Sequence, residues 1–148
     1  TNLPASGTLT TAQQTALAGM AEEEKMAHDV YVALAATTGD RRFTRIAASE
    51  AQHLSAVRTL LARYGIADPT AGKADGQFTS TTMASLYTTL VAQGRGSLSA
   101  ALAVGVKIEK MDIADLVTAR SGVTAPDVLK VYTSLSAGSQ NHLRAFGG

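Results

Sequence analysis

The sequence predicts an all-α protein: four long helices forming a bundle, with one long crossover that carries a short extra helix. Three observations predict it. Large apolar residues recur at the 3-4 spacing of a helix with one buried stripe, in five separate stretches. Helix-capping residues stand before those stretches and glycines after most of them. The connection from Gly65 to Ser97 is about thirty residues, enough to cross the length of a bundle, so the long helices on either side of it can run parallel.

Residues 1–9 contain Pro4 and Gly7 and no periodicity, which predicts a flexible N-terminal arm ahead of a single domain over 10–148. Thr10 and Gln13 form a capping box, and the first helix should run from about Thr11 to Thr37, with Gly39 as its stop. Its inward line is Leu17, Met20, Glu24, Ala27, Tyr31 and Leu34. Asp40 caps the second helix, which carries Phe43, Ile46, Leu54, Val57, Leu60, Leu61 and Tyr64 inward and ends at Gly65. A Pro- and Gly-containing loop follows, then a short helix over Ser80–Gln93 with Met83, Leu86, Tyr87 and Leu90 on one side. Ser97 caps a long helix reaching Arg120, with Leu98, Ala101, Leu102, Gly105, Ile108, Glu109, Asp112, Leu116 and Ala119 inward. Pro126 suits the first turn of the last helix, whose line is Val128, Leu129, Tyr132, Leu135, Ser139, His142 and Phe146.

Composition narrows the function classes. With 13 basic and 12 acidic side chains and no basic cluster, nucleic acid is not an expected partner. No apolar run approaches the ~18 residues of a membrane span. The absence of cysteine excludes disulfides, iron–sulfur clusters and zinc–thiolate sites. The chain begins at Thr1, and TNLPASGTLTT suits the start of a mature secreted protein, so the expectation leans toward an extracytoplasmic location, with the cytoplasm as the alternative.

The chemistry lies where polar residues interrupt the apolar lines. Glu50 and His53 sit one turn apart inside the stripe of the second helix, an i, i+3 pair on one side. A carboxylate and an imidazole in a core are costly unless something binds them. Glu-x-x-His is the pair with which helical bundles hold a metal ion. Glu24, Glu109 with Asp112, and His142 interrupt the other three long helices in the same way. These positions can meet at mid-core, and oxygen and imidazole ligands suit iron, manganese or zinc. Of five glutamates, three cluster at Glu22–Glu24 and the other two both fall on inward lines. Each residue also has a duller reading. Glu24 could be an exposed member of the EEEK run, with Glu23 its rival in angle. Glu109 and Asp112 could form an acidic face opposite Lys107 and Lys110. His142 could be an ordinary core or surface histidine. His28 could pair with Glu24 at i, i+4 on the surface or support it from behind, and Tyr31 and Tyr132 could be core residues with satisfied hydroxyls.

EEEKMAHDVY in the first helix, IAASEAQH in the second, IEKMDIADL in the next long helix and GSQNHLRAF in the last resemble the ferritin-like superfamily. The likeness is closest to its rubrerythrin-like members and to an uncharacterised bacterial branch, and covers about Thr10 to Phe146. It implies a ferritin-like four-helix bundle with a di-iron or di-manganese carboxylate centre, zinc being a substitute. It favours Glu24 over Glu23, because Ala27 and Tyr31 fall in step with Glu24. The implied metal ligands are Glu24, Glu50, His53, Glu109, Asp112 and His142. One position departs from the pattern: Ser139 stands where the last helix should carry a glutamate, so Asp112 is expected to substitute for it, or a single-metal site results. Three functions follow as expectations. The first is an oxidoreductase acting on oxygen, peroxide or ferrous iron, with electrons from elsewhere, since the chain lacks a cysteine-rich module. The second is non-catalytic metal binding or storage. The third is a degenerate bundle with a buried polar network. A homodimer is compatible with each.

Overall fold

The computed structural model describes residues 2–148; Thr1, the first residue of the expected arm, lies outside the described residues. Among the described residues there are five α-helices and no strand: α1 Thr11–Thr38, α2 Arg41–Arg63, α3 Thr81–Gly94, α4 Leu98–Arg120 and α5 Pro126–Phe146. The start signals act as their chemistry dictates. Thr10 and Gln13 close a reciprocal capping box on α1, and the side chains of Asp40, Ser80 and Ser97 accept from the first-turn backbone of α2, α3 and α4. Gly39 ends α1 at φ 68°, a left-handed conformation that costs a glycine little.

Each long helix borders two others, closing a ring in the order α1, α2, α5, α4, while α3 lies against α1 and α4. The core falls into two apolar clusters. One joins the start of α1 (Leu17, Met20) to the ends of α2 (Leu60, Leu61) and α4 (Leu116) and the start of α5 (Val128, Tyr132). The other joins the end of α1 (Tyr31, Leu34) to the starts of α2 (Phe43, Ile46) and α4 (Ala101, Val104) and the end of α5 (Phe146). It follows that α2 and α4 run the same way, and the connection between them traverses the ring from end to end. Burying each large side chain here is worth about 1.5–3 kcal/mol. The inward lines hold with one exception: Leu98, at the edge of the first turn of α4, is 42% exposed.

Residues 2–9 are not a loose arm. Leu9 is buried and Leu3 packs against the first cluster. The backbone N–H of Gly7 donates to the Tyr64 hydroxyl at 2.9 Å, and Arg63 Nη1 donates to the Pro4 carbonyl at 2.8 Å. Asp127, fully buried at the start of α5, accepts from both Tyr64 (2.6 Å) and Arg63 (3.1 Å). Without periodicity of its own, the segment is held by groups that α2 and α5 present.

The crossover is pinned by three α1 residues on the side away from the ring's centre. Glu22 accepts from the backbone N–H groups of Thr79 and Ser80 at 3.1 Å. Lys25 donates to Asp29 Oδ2 (2.5 Å) and to the Ala74 carbonyl (2.7 Å), and its ammonium lies 4.5 Å from the centre of the Phe78 ring. Asp29 also accepts from Gly76 N–H at 3.0 Å. The EEEK run is therefore buried on every side, and all five glutamates of the chain are buried.

Candidate metal centre

The gap between the two apolar clusters is filled by the polar interruptions of the four long helices. Glu24 from α1, Glu50 from α2 and Glu109 from α4 are fully buried, Asp112 and His142 are nearly so, and His53 is partly exposed. The i, i+3 spacing on α2 points Glu50 and His53 to the same place, and that on α4 does so for Glu109 and Asp112.

Two sets of three donor atoms result, those of each set within 4.8 Å of one another: Glu24, Glu50 and His53, and Glu50, Glu109 and His142. Glu50 belongs to both. His53 Nδ1 lies 3.3 Å from Glu24 Oε2 and 3.4 Å from Glu50 Oε1. His142 Nδ1 lies 2.8 Å from Glu50 Oε1 and 3.6 Å from Glu109 Oε1. Both Nδ1 atoms, both oxygens of Glu24 and of Glu50, Glu109 Oε1 and Asp112 Oδ1 are buried with no hydrogen-bond partner among the described residues.

The opposite atom of several of these groups is held. Tyr31 donates to Glu109 Oε2 at 2.5 Å, and Ser139 donates to Asp112 Oδ2 at 2.5 Å. His142 Nε2 meets Ser49 Oγ at 3.0 Å, which leaves Nδ1 for the centre. Room for the His53 ring comes from Gly138: a Cβ there would stand 2.6 Å from Cε1 and Nε2. Buried polar atoms are rarely left unpaired. Here eight of them, all carboxylate oxygens or imidazole nitrogens, share one region, and that donor set fits one or two cations of the iron, manganese or zinc class.

The family model described as "Uncharacterized protein domain (DUF2202)" matches residues 13–148. The chain belongs to the DUF2202 family. It is similar to "Uncharacterized protein MJ0754" of Methanocaldococcus jannaschii, 42% identical over 127 residues, which cover 86% of this chain and 69% of that protein. The crystal structure of the hypothetical protein MJ0754 superposes with a TM-score of 0.94 at 39% identity, covering 99% of this chain and 83% of that one.

The electrostatics of this DUF2202 chain follow from the crowding. Burial first, then the charges of Glu50 and Asp112, raises Glu24 well above the ordinary carboxylate range. Burial raises Asp112 to about 7 in spite of the hydrogen bond from Ser139. Burial also raises Glu109, against the opposing effects of His142 and Tyr31. Glu50 is the exception. Burial pushes it up, but the imidazoles of His142 and His53 outweigh that and hold it at about 2. His142, pushed down by burial, is lifted to about 9 by Glu109 and Glu50. Four carboxyls in one dry space cannot all ionise without a cation between them.

All six residues singled out from the sequence border this region, Asp112 through its closeness to Glu24 and Glu109. The structure adds Tyr31, Ser49, Gly138 and Ser139 as residues that shape or orient it. Tyr31 was legible as a core residue in step with Glu24; its hydroxyl's partner was not. His28 does not pair with Glu24: its Nδ1 lies 2.7 Å from Asp29 Oδ1. A side chain at i+4 can reach its helical neighbour, but Asp29, drawn outward by Lys25 and Gly76, offers the nearer acceptor. Tyr132 lies in the first apolar cluster, where burial raises its hydroxyl to about 12.

Proposed function

We propose that the chain is a ferritin-like four-helix bundle that binds two divalent metal ions, iron or manganese, with Glu50 shared between them. The observation that carries this reading is the two donor sets joined at Glu50, with their unpartnered buried atoms. Glu24 and His53 would hold one ion and Glu109 and His142 the other. Asp112 would stand in for the glutamate that Ser139 replaces. Glu24, Glu50, Glu109 and Asp112 together would neutralise two divalent charges.

When bound, such a pair supplies one-electron chemistry toward oxygen, peroxide or ferrous iron. The chain's own contribution is placement and exclusion. Tyr31, Ser139 and Ser49 fix the orientation of Glu109, Asp112 and His142. The two apolar clusters keep water from either end. Non-catalytic metal binding is the second reading, favoured by Ser139: one Asp112 oxygen is committed to its hydroxyl, so the centre has fewer free carboxylate oxygens than a full set would give.

Elemental analysis of the purified protein, with anomalous diffraction at the iron and manganese edges, tests the proposal. Two peaks flanking Glu50 are expected. Peaks elsewhere, or protein that stays free of metal after incubation with either ion, would leave only a structural polar core. Turnover of oxygen or peroxide by the ferrous-loaded protein then separates catalysis from storage.

A further inference from the structure

A fifth carboxyl lies just outside the six. Glu23 is 5% exposed, and its Oε1 is buried with no hydrogen-bond partner. It lines an open cleft of about 440 Å3 between α1 and α4, together with Asp115, Met20 and Gly19. Asp115 is exposed at the wet side of that cleft, whereas Asp112, one helical turn earlier on α4, is buried beside Glu24. Glu23 has both aspartates as neighbours. Carboxyl groups thus continue from solvent to the centre as Asp115, Glu23, Asp112 and Glu24, and among the described residues no lysine or arginine lines the cleft.

The opposite approach has another character. The cavity of about 230 Å3 over the outer face of His53 is bordered by Lys130, Gln52 and Leu3. A positive side chain at an entrance repels a cation, while the α1–α4 cleft offers a cation carboxyl oxygens at its mouth, from Asp115, and at its inner wall, from Glu23.

We infer that the α1–α4 cleft is the route by which divalent cations enter and leave the centre, with Asp115 collecting them at the mouth and Glu23 acting as the transfer ligand to Asp112. This rests on the metal-centre reading above and extends it. A carboxyl oxygen left unpartnered in a core, as Glu23 Oε1 is, is costly, and among the described residues Glu23 makes no backbone contact of the kind that Glu22 makes with the crossover.

The test is Co(II) uptake and release followed by stopped-flow absorbance, with equilibrium stoichiometry measured separately. A route residue changes both rates and leaves affinity alone; a ligand of the centre changes affinity. Glu23→Gln and Asp115→Asn are expected to slow uptake and release alike, by about tenfold for Glu23→Gln, at unchanged stoichiometry and Kd. Gly19→Leu should do the same by bulk, since a Cβ at Gly19 meets nothing within 4 Å and the variant has no packing reason to misfold. Wild-type rates in Glu23→Gln and Gly19→Leu would overturn the route, as would a loss of stoichiometry in Glu23→Gln. A wild-type chain that takes up no Co(II) would instead overturn the metal-centre reading, and the route with it.

Discussion

Ser139 on α5 donates a 2.5 Å hydrogen bond to Asp112 on α4. The hydroxyl occupies the position where a ferritin-like pattern would place a carboxylate, and it aims Asp112 Oδ1 away from itself. Ser139→Ala is therefore expected to weaken metal binding by about 10–100-fold, the usual effect of removing a group that orients a ligand. Calorimetric titration with Mn(II) would show it; an unchanged isotherm would mean that Asp112 is not a ligand.

Glu24 and Glu50 should respond oppositely to neutralisation when chelator keeps the protein free of metal. Glu24 is raised by burial and by its acidic neighbours, so it resists ionisation, and Glu24→Gln should leave the melting temperature unchanged or higher. Glu50 is held low by its histidine neighbours, His142 first, so Glu50→Gln strips a buried counter-charge from His142 and should cost about 3–5 kcal/mol. Both variants should lose metal, Glu50→Gln at both positions. Equal melting temperatures would contradict this division of roles.

Two glycines allow a separation of packing from ligation. At Gly138 an added Cβ would press on the His53 ring at 2.6 Å, and at Gly105 it would press on Phe146 at 2.6 Å. Gly105→Ala should destabilise by about 1–3 kcal/mol through overpacking, with metal stoichiometry intact. Gly138→Ala should lose one of two metal equivalents, with a smaller change in stability. Elemental analysis and chemical denaturation on the same samples would reveal any exchange of these outcomes.

The outer clasp on α1 gives a pH dependence with a definite sign. His28 is raised above its usual 6.5 by its hydrogen bond with Asp29, against burial, and Asp75 lies 4.0 Å from it. Its contribution is fully present below about 6.5 and is lost as pH rises through the folded value. Asp29 is pushed up by burial, but hydrogen bonds from His28, Lys25 and Gly76 outweigh this and lower it below 3.8. Its contribution is present above 3.8 and lost on acidification below that value. Limited proteolysis within residues 66–80 should accelerate from pH 6 to pH 9, modestly, since the partly exposed histidine is worth less than about 1 kcal/mol. His28→Asn should flatten that rise.

The helices and the six polar interruptions were legible because both are periodic: apolar spacing places a face, and a carboxylate in that face stands out. Glu22, Lys25 and Asp29 could not be read this way. They serve a loop whose sequence has no period, and their partners, mainly backbone groups of Ala74, Gly76, Thr79 and Ser80, leave no side-chain signal. The docking of residues 2–9 was hidden for the same reason, since its hydrogen bonds run through the backbone, the carbonyls of Asn2, Pro4 and Ala5 and the N–H of Gly7. Ser139 was readable as a poor ligand, but its use as a donor to Asp112 needed the register of α4 against α5. The left-over clue was Glu23, close in angle to Glu24 and buried beside it.

The apolar packing is split in two, with the acidic and imidazole groups at the waist. The tips of the rods therefore share no continuous oily contact, and the waist decides whether they melt as one body. With cations bridging the rods, heat should unfold the chain in a single cooperative step. With chelator that bridge between the rods is gone, and calorimetric and van't Hoff enthalpies should diverge as the tips come apart separately.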